Sequence, residues 1–256
     1  MSATLAIMRL ETRRLFVSPL SWVLAAMTQL LAGLLFVMTL ADIQNNPNAL
    51  VDAGGVTVFV AGGLMRFVTL ILLLVVPLLT MRSIAEERKQ GTWPWLVASP
   101  IGTGALVAGK FFGVMGYLTL IWGLTAAMPL TLAVFSPLDM GILAAGLIGL
   151  WLMMASFAAL GLLASAMTRE PSLAAVITLT AILLAWLAYA VSAIDWQPVL
   201  FGHALDIAGM IRGASPIGHL DSLLRGLFTT ADLVYFAVFV LTCLTLTVLR
   251  LDAERR

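Results

Sequence analysis

Charged residues and cysteines are both scarce in this 256-residue chain. Lys, Arg, Asp and Glu together make up 11% of the residues, against 61% for hydrophobic ones, whereas soluble domains carry about a quarter charged residues. This balance excludes an ordinary soluble domain and predicts a polytopic membrane protein. The single cysteine, Cys243, excludes a disulfide framework within one chain. The formal net charge is only +1, and we expect no nucleic-acid partner.

The apolar runs contain almost no charged residues. This excludes the series of ionisable groups that a proton or ion pump places at the middle of the membrane. Arg66 is the only cation within them, and we expect it to reach the outer interface or to face protein rather than lipid. No nucleophile lies in a pattern with a base, so we expect no catalytic, cofactor or metal site and do not expect an enzyme.

Six apolar runs are long enough to cross a bilayer, which takes about 20 residues of helix. They predict an all-α membrane protein with a single transmembrane domain over residues 1–256. The predicted spans are residues 22–40, 56–80, 111–135, 141–167, 172–194 and 231–249. Residues 5–17 combine apolar and basic residues at helical spacing, which predicts an amphipathic helix in the membrane interface. The alternative there is an unstructured charged tail.

Residues 195–230 are less apolar and contain several glycines and prolines. Their apolar stretches are too short and too interrupted to cross the membrane. They predict an outer segment of short helices that dip into the membrane or lie on it.

The positive charges lie mostly on one side of the predicted membrane. Only Arg66, Arg212 and Arg225 of the 14 Lys and Arg residues fall on the other side. The positive-inside rule therefore predicts that both termini are cytoplasmic. The expected location is the inner membrane of a bacterium, with lipid around the six spans.

One polar stretch, residues 81–110, separates the second and third spans. It is too charged to lie in hydrocarbon and must be a loop in water; its charges begin with Arg82, Glu86, Glu87, Arg88 and Lys89. Good helix formers from Ser83 to Gln90 predict that the second span continues into this loop as a helix. Gly91 then predicts its end, because glycine favours the left-handed backbone found after a helix.

A second short helix is predicted after Gly91, with Thr92 as its N-cap and Pro94 in its first turn. It would lie parallel to the membrane and expose Trp93, Trp95 and Leu96. Two interpretations remain open. The helix is either an aromatic anchor at the level of the lipid headgroups or a coupling helix that fits a groove on a soluble partner.

Residues 104–110 match the phosphate-binding pattern G-x-x-x-x-G-K. Phe111 follows where that loop needs Ser or Thr, and no strand precedes it. We therefore expect no nucleotide site in this chain. Ala105, Gly109 and Gly113 instead recur at four-residue spacing, which predicts a close contact between helices.

Two histidines in the outer segment lie near acidic residues, His203 near Asp206 and His219 near Asp221. Imidazole and carboxylate groups are ligands for transition metals, but a histidine near an aspartate is also commonly a hydrogen-bonded structural pair. The nearby arginines are candidates to pair with the aspartates. The full candidate set is His203, Asp206, Arg212, His219, Asp221 and Arg225.

Motifs in three parts of the chain, taken together, point to one protein family. They are AEERKQGT at 85–92 followed by SP at 99–100 and GKF at 109–111, ASAMT at 164–168, and SPIGHLDSLLRG at 215–226 followed by DLVYF at 232–236. Together they resemble the ABC-2 type permeases over nearly the whole chain. The closest subgroup is the gliding-motility type, and the permeases of nitrous-oxide-reductase maturation are related to it.

The resemblance implies a six-span permease with an N-terminal interfacial helix, as in type V ABC exporters. Two such chains, identical or different, would pair, and each would bind a separate cytoplasmic subunit that holds ATP and Mg²⁺. A periplasmic or accessory membrane protein is a further candidate partner. The implied contacts with the ATPase are Glu86, Glu87, Arg88, Thr92, Trp93, Trp95, Leu96, Thr168, Arg169 and Glu170.

This chain departs from the family pattern at Pro94, where the family usually has Glu two residues after the Thr. A contact made by that Glu is therefore not expected here. Three functions remain open at this stage. They are the permease of an ABC exporter, a membrane scaffold that transmits force from the same ATPase, and a stand-alone transporter.

Overall fold

The chain folds almost entirely into helices. A computed structural model describes residues 3–45, 55–93, 101–134, 138–192, 199–200, 203–204 and 207–255. The α-helices in these residues are α1 Ala3–Val17, α2 Pro19–Asn45, α3 Gly63–Thr80, α4 Ala85–Lys89, α5 Thr103–Leu132, α6 Met140–Met167, α7 Pro171–Val191, α8 Ile207–Ala214, α9 Pro216–Leu224 and α10 Thr230–Arg255. A π-helix, Thr57–Gly62, leads into α3. Val199–Leu200 and His203–Ala204 form a short antiparallel pair, β1 and β2. The predicted all-α class is confirmed apart from this pair.

Six helical segments are long and apolar enough to cross a membrane, as predicted. They are Pro19–Ile43, Thr57–Lys89, Thr103–Leu132, Met140–Met167, Pro171–Val191 and Thr230–Glu254. The third begins at Thr103 rather than at residue 111, so Lys110 lies inside a helix. The predicted outer segment also contains short helices, α8 and α9.

Helix α6 forms the centre of the bundle. It packs against α3, α5, α7, α9 and α10, and most of its surface is buried. Glycines allow this close packing. A Cβ added at Gly161 would lie 2.1 Å from Thr80 Oγ1, and one at Gly149 would lie 3.1 Å from the side chains of Leu220 and Leu223. An apolar helix buried on all sides is typical of the core of a helical bundle.

The peripheral helices expose large apolar side chains. Leu34 and Val37 on α2, Leu184 on α7 and Leu241 on α10 are all exposed. Contiguous apolar surface of this kind is rare on soluble monomers. It is the surface that six membrane-spanning helices would present to lipid.

Helix α1 packs along α5 over two of the glycines predicted to make a close helix contact. A Cβ at Gly109 would lie 2.7 Å from Ile7 Cβ, and one at Gly113 would lie 2.6 Å from Glu11 Cβ. The predicted contact is therefore confirmed at these two positions. Since residues 3–17 are helical, the alternative of an unstructured tail is wrong. Glu11, an acidic residue of this helix, is buried.

Residues 85–89 of the predicted continuation are helical, but a turn at residues 81–84 interrupts the segment Thr57–Lys89. The prediction of one unbroken helix through Ser83 to Gln90 was therefore wrong. Helix α3 ends at Thr80, and a turn separates it from α4. Ser165 of α6 stabilises the break. Its hydroxyl donates to Met81 O at 3.1 Å and accepts from the backbone N–H groups of Ile84 at 3.0 Å and Ala85 at 2.9 Å. These bonds satisfy backbone groups that a continuous helix would have paired internally.

Candidate functional site

Helix α4 lies at the end of the bundle where α3 ends and α5 begins, and four other helices hold it there. We use the name α4 cluster for Ser83, Glu87 and Arg88 together with Glu11 of α1, Lys110 of α5, Ser165 of α6 and Glu254 of α10. Lys110 binds Ser83 and Glu87, Glu254 binds Arg88, Glu11 pairs with Lys110, and Ser165 binds the backbone at Met81, Ile84 and Ala85. The cluster contains much of the buried charge in the described residues.

Lys110 is the centre of the α4 cluster. Its side chain is only 2% exposed, and Nζ donates to Ser83 O at 2.6 Å and to Glu87 Oε1 at 2.5 Å. Glu11 Oε2 lies 3.7 Å from the same Nζ, and Arg14 lies 3.9 Å from Glu11. A buried charge is tolerated only when it is paired and hydrogen-bonded. Lys110 therefore ties α1 and α5 to α4 through one ammonium group.

Arg88 ties α4 to the C-terminal helix. Its side chain is 6% exposed, and Nη2 donates to Glu254 Oε2 at 2.8 Å. The guanidinium also lies over the ring of Trp93, 5.1 Å from its centroid, which is a cation–π distance. The side chain of Arg88 thus contacts both α10 and Trp93, the first tryptophan of the short helix predicted after Gly91.

Gly91 ends α4 as the sequence predicts. Its φ of +70° is the left-handed conformation that glycine adopts at low cost. The N–H of Thr92 donates to Glu87 O at 3.0 Å, and the N–H of Gly91 donates to Arg88 O at 3.2 Å, which is a Schellman motif. The Thr92 hydroxyl donates to Glu87 O at 3.1 Å. The helix that Thr92 was predicted to cap begins at Trp93, and its later residues, including Trp95 and Leu96, lie outside the described residues.

A second turn lies beside α4. Lys89 Nζ donates to Glu170 Oε2 at 3.1 Å, and both side chains are exposed. Arg169 is exposed as well, whereas Thr168 is buried. Glu86 is partly buried and accepts from Gln90 Nε2 at 2.8 Å. Of the predicted contacts that the structure describes, Glu86, Glu87, Arg88, Trp93 and Thr168 are buried or partly buried. Thr92, Arg169 and Glu170 lie on an exposed surface together with Lys89, Gln90 and Gly91.

The candidate list of ATPase contacts did not include five members of the α4 cluster, namely Ser83, Glu11, Lys110, Ser165 and Glu254. Nothing in the sequence indicated that Glu11 and Glu254 belong to this site, because each reaches its partner only through tertiary packing. Lys110 and Ser165 lay in the motifs GKF and ASAMT, but nothing local indicated their partners. The carboxylate of Glu87, which is among the predicted ATPase contacts, binds Lys110 within the chain.

At the other end of the bundle, His219 pairs with a different aspartate from the predicted one. His219 Nδ1 lies 2.6 Å from Asp232 Oδ1, and Nε2 lies 2.9 Å from Gly213 O. Asp221 instead forms ion pairs with Arg66 and with Arg225. The prediction of His219 beside Asp221 was therefore wrong, because residues two apart on helix α9 do not face each other.

The predicted pair of Arg225 with Asp221 is confirmed, at 2.9 Å. Arg66 faces protein through its ion pair with Asp221, which is one of its two expected positions. Asp206 and the side chains of His203 and Arg212 lie outside the described residues. Within the described part of the chain, no three His, Cys, Asp or Glu side chains are grouped to hold a metal ion.

Fold and site together define a multi-pass helical membrane protein whose charged groups concentrate at the two ends of the bundle. Residues 11–211 match the model of the ABC-2 family transporter proteins. Since the match covers most of the chain, the chain belongs to the ABC-2 transporter family. Membership implies the permease subunit of an ABC transporter and an ATP-binding partner in general. No match is found among curated proteins.

Proposed function

We propose that this chain is the permease of an ABC exporter and that a separate cytoplasmic ATPase moves its helices through the α4 cluster. The observation that carries this proposal is the position of Lys110. Its side chain extends from α5 and is buried against α1 and α4. Nζ donates to Ser83 O and to the carboxylate of Glu87, and the carboxylate of Glu11 lies nearby. Force applied to α4 would reach several helices at once.

The bonds of the α4 cluster support such transmission because they are buried or partly buried. Breaking a buried pair leaves an uncompensated charge, at a cost of about 3–5 kcal/mol. Arg88 with Glu254 extends the connection to α10, and Ser165 extends it to the central helix α6. A displacement of α4 is therefore expected to move these helices with it rather than to separate from them.

The exposed residues beside the α4 cluster are suited to bind a soluble subunit. Gln90, Thr92, Arg169 and Glu170 offer donors, acceptors and both signs of charge. We favour the coupling helix over the aromatic anchor for Trp93, because its ring already packs under Arg88 rather than standing free. The ATP-binding subunit would hold the nucleotide and Mg²⁺.

The remaining expectations form part of the same proposal. The end of the bundle that carries the α4 cluster would face the cytoplasm of a bacterium, as would both termini, because most Lys and Arg residues lie in the segments at that end. Helix α1 would lie in the interface, and two permease chains would pair as in type V exporters. The gliding-motility subgroup is the proposed closest relative.

Affinity purification of the tagged full-length chain, followed by mass spectrometry, tests this proposal. An ABC-type ATP-binding protein should co-purify. The double variant Thr92→Arg/Arg169→Glu should reduce its recovery at least about tenfold, since both changes lie on the exposed surface. Arg82→Glu is the matched control. Arg82 is exposed at the same end but lines a recess with Glu11 and Arg14, so this variant should retain the partner.

Failure to recover any ATP-binding protein with the wild-type chain would contradict the proposal and leave a stand-alone transporter. Equal recovery with the double variant would show that the ATPase binds elsewhere. Reconstitution of the complex in vesicles, with ATP-dependent export as the readout, then separates an exporter from a subunit that transmits force without moving a solute.

A further inference from the structure

A mostly apolar cavity of about 170 Å³ lies between α3, α6, α7 and α9, far from the α4 cluster. Leu70 and Leu73 of α3, Phe157 of α6, Ile182 and Trp186 of α7 and Ile217 of α9 form much of its wall. Leu70 and Trp186 are exposed on the apolar outside of the bundle. The cavity can therefore be entered from the side, where lipid would surround the protein.

The rim of this cavity is polar and carries excess positive charge. Arg66 and Asp221 line it, and Arg225 lies on the other side of Asp221. The side chains of Arg66 and Arg225 are 54% and 65% exposed, whereas that of Asp221 is 19% exposed. Each guanidinium has five N–H donors, and one carboxylate cannot use all those of two arginines. Two positive charges thus flank one negative charge, with donors left for an anion.

A second, more polar pocket continues from the rim. Its volume is about 420 Å³, and it shares Tyr189 and Asp221 with the cavity while adding Ser192, Ser222 and Arg225. Together the two volumes fall within the range of about 300–1,000 Å³ usual for ligand sites. An apolar chamber joined to a polar, cationic one matches a molecule with a hydrocarbon tail and an anionic head.

We propose that this site binds an anionic phospholipid of the surrounding bilayer, with one acyl chain in the apolar cavity and the phosphate between Arg66 and Arg225. Charge complementarity identifies the head, because guanidinium groups recognise phosphate oxygens through paired N–H donors. The exposed positions of Leu70 and Trp186 indicate that the ligand comes from the bilayer, since the opening of the cavity faces lipid rather than water. This inference goes beyond the permease role and does not depend on the ATPase.

Photo-crosslinking tests the proposal with the full-length chain in nanodiscs. The probe is phosphatidylglycerol with a diazirine near the end of one acyl chain, and adducts are mapped by mass spectrometry. We expect adducts on the walls of the cavity, such as Leu73 and Ile182. Unlabelled phosphatidylglycerol should compete with the probe, whereas phosphatidylcholine and inorganic phosphate should not.

Variants test the binding of the acyl chain and the binding of the phosphate separately. Leu73→Trp fills the cavity and should abolish these adducts, whereas Leu74→Trp, on the exposed side of the same helix and outside the cavity wall, should keep them. Arg66→Gln/Arg225→Gln should weaken competition by phosphatidylglycerol about tenfold. If this double variant does not fold, the pair of tryptophan variants still decides the question.

Three results would overturn the proposal. The first is labelling spread evenly over the exposed helices, which would indicate only the general lipid surface. The second is equal competition by phosphatidylcholine, which would exclude recognition of an anionic head. The third is label that instead joins two copies of the chain, which would make the cavity part of a protein interface.

Discussion

At the scale of single residues, Lys110 is the most deeply buried charged side chain in the described part of the chain. It is an almost fully buried cation that balances two carboxylates, Glu87 and Glu11. The sequence around Lys110 did not indicate these ion pairs, because the motif it belongs to, G-x-x-x-x-G-K, is typical of a phosphate-binding loop. Only the packing of α1 onto α5 brings Glu11 within reach. A buried pair that depends on two other elements cannot be predicted from local sequence.

Lys110→Met should destabilise the protein by about 3–5 kcal/mol, because among the described residues Glu87 would lose its only ion-pair partner and Glu11 would keep only Arg14, at 3.9 Å. Thermal unfolding in detergent measures this. Lys89→Met is the matched control, since the Lys89–Glu170 pair is exposed and should contribute no more than about 1 kcal/mol. Adding Glu87→Gln to Lys110→Met should recover part of the loss. Equal stability of the two single variants would contradict the assigned role.

Gly113 provides a second residue-scale test, because its hydrogen faces Glu11 in the close contact of α1 with α5. A Cβ there would lie 2.6 Å from Glu11 Cβ and 3.1 Å from Met8 O. Gly113→Ala should therefore cost about 1–3 kcal/mol through overpacking. Gly123→Ala on the same helix meets nothing within 4 Å and should be neutral or slightly stabilising. Thermal unfolding compares the two, and equal effects would show that α1 does not need this close approach.

At the scale of elements, the break between α3 and α4 separates the membrane helix from the charged cluster. The long apolar runs made the six spans predictable, since helices that cross hydrocarbon must be apolar along about 20 residues. The break was not predictable, because Ser165 lies about 80 positions away in sequence and replaces the missing helical bonds. The local sequence around Ser83 contains no glycine or proline that would break a helix, so tertiary contacts overrode propensity.

Ser165→Ala should loosen this break specifically. It leaves the N–H groups of Ile84 and Ala85 without their acceptor, which costs about 1–3 kcal/mol if they stay buried. Hydrogen exchange should become faster at these two amides, with little change in the middle of α6. Ser156→Ala is the control, because its hydroxyl bonds only to Leu152 O within the same helix. Unchanged exchange at Ile84 and Ala85 would exclude the role of Ser165.

At the scale of the whole molecule, charge is divided between two ends of an apolar bundle. One end has the α4 cluster, and the other has the paired groups around Asp221 and Asp232. The sequence indicated this division through the placement of Lys and Arg. It did not indicate the partner of His219, since Asp232 belongs to the next helix and Asp221 was nearer in sequence.

The proposed orientation has a direct test in single-cysteine variants. In a Cys243→Ser background, Thr92→Cys and Leu227→Cys would place exposed thiols at opposite ends of the bundle. A maleimide that cannot cross the membrane should label Leu227→Cys in intact spheroplasts. It should label Thr92→Cys only after permeabilisation. The reverse pattern would place the α4 cluster outside the cell and exclude a cytoplasmic ATPase there.

The central claim is that a cytoplasmic ATPase binds the bundle at the exposed surface beside α4, which includes Thr92. A photo-crosslinking amino acid placed at Thr92 in the full-length chain, in living cells, measures that contact directly. The account predicts a covalent adduct with an ABC-type ATP-binding subunit from position 92, and none from Leu227 at the opposite end. The absence of that adduct at position 92, or its appearance at position 227, would contradict the account.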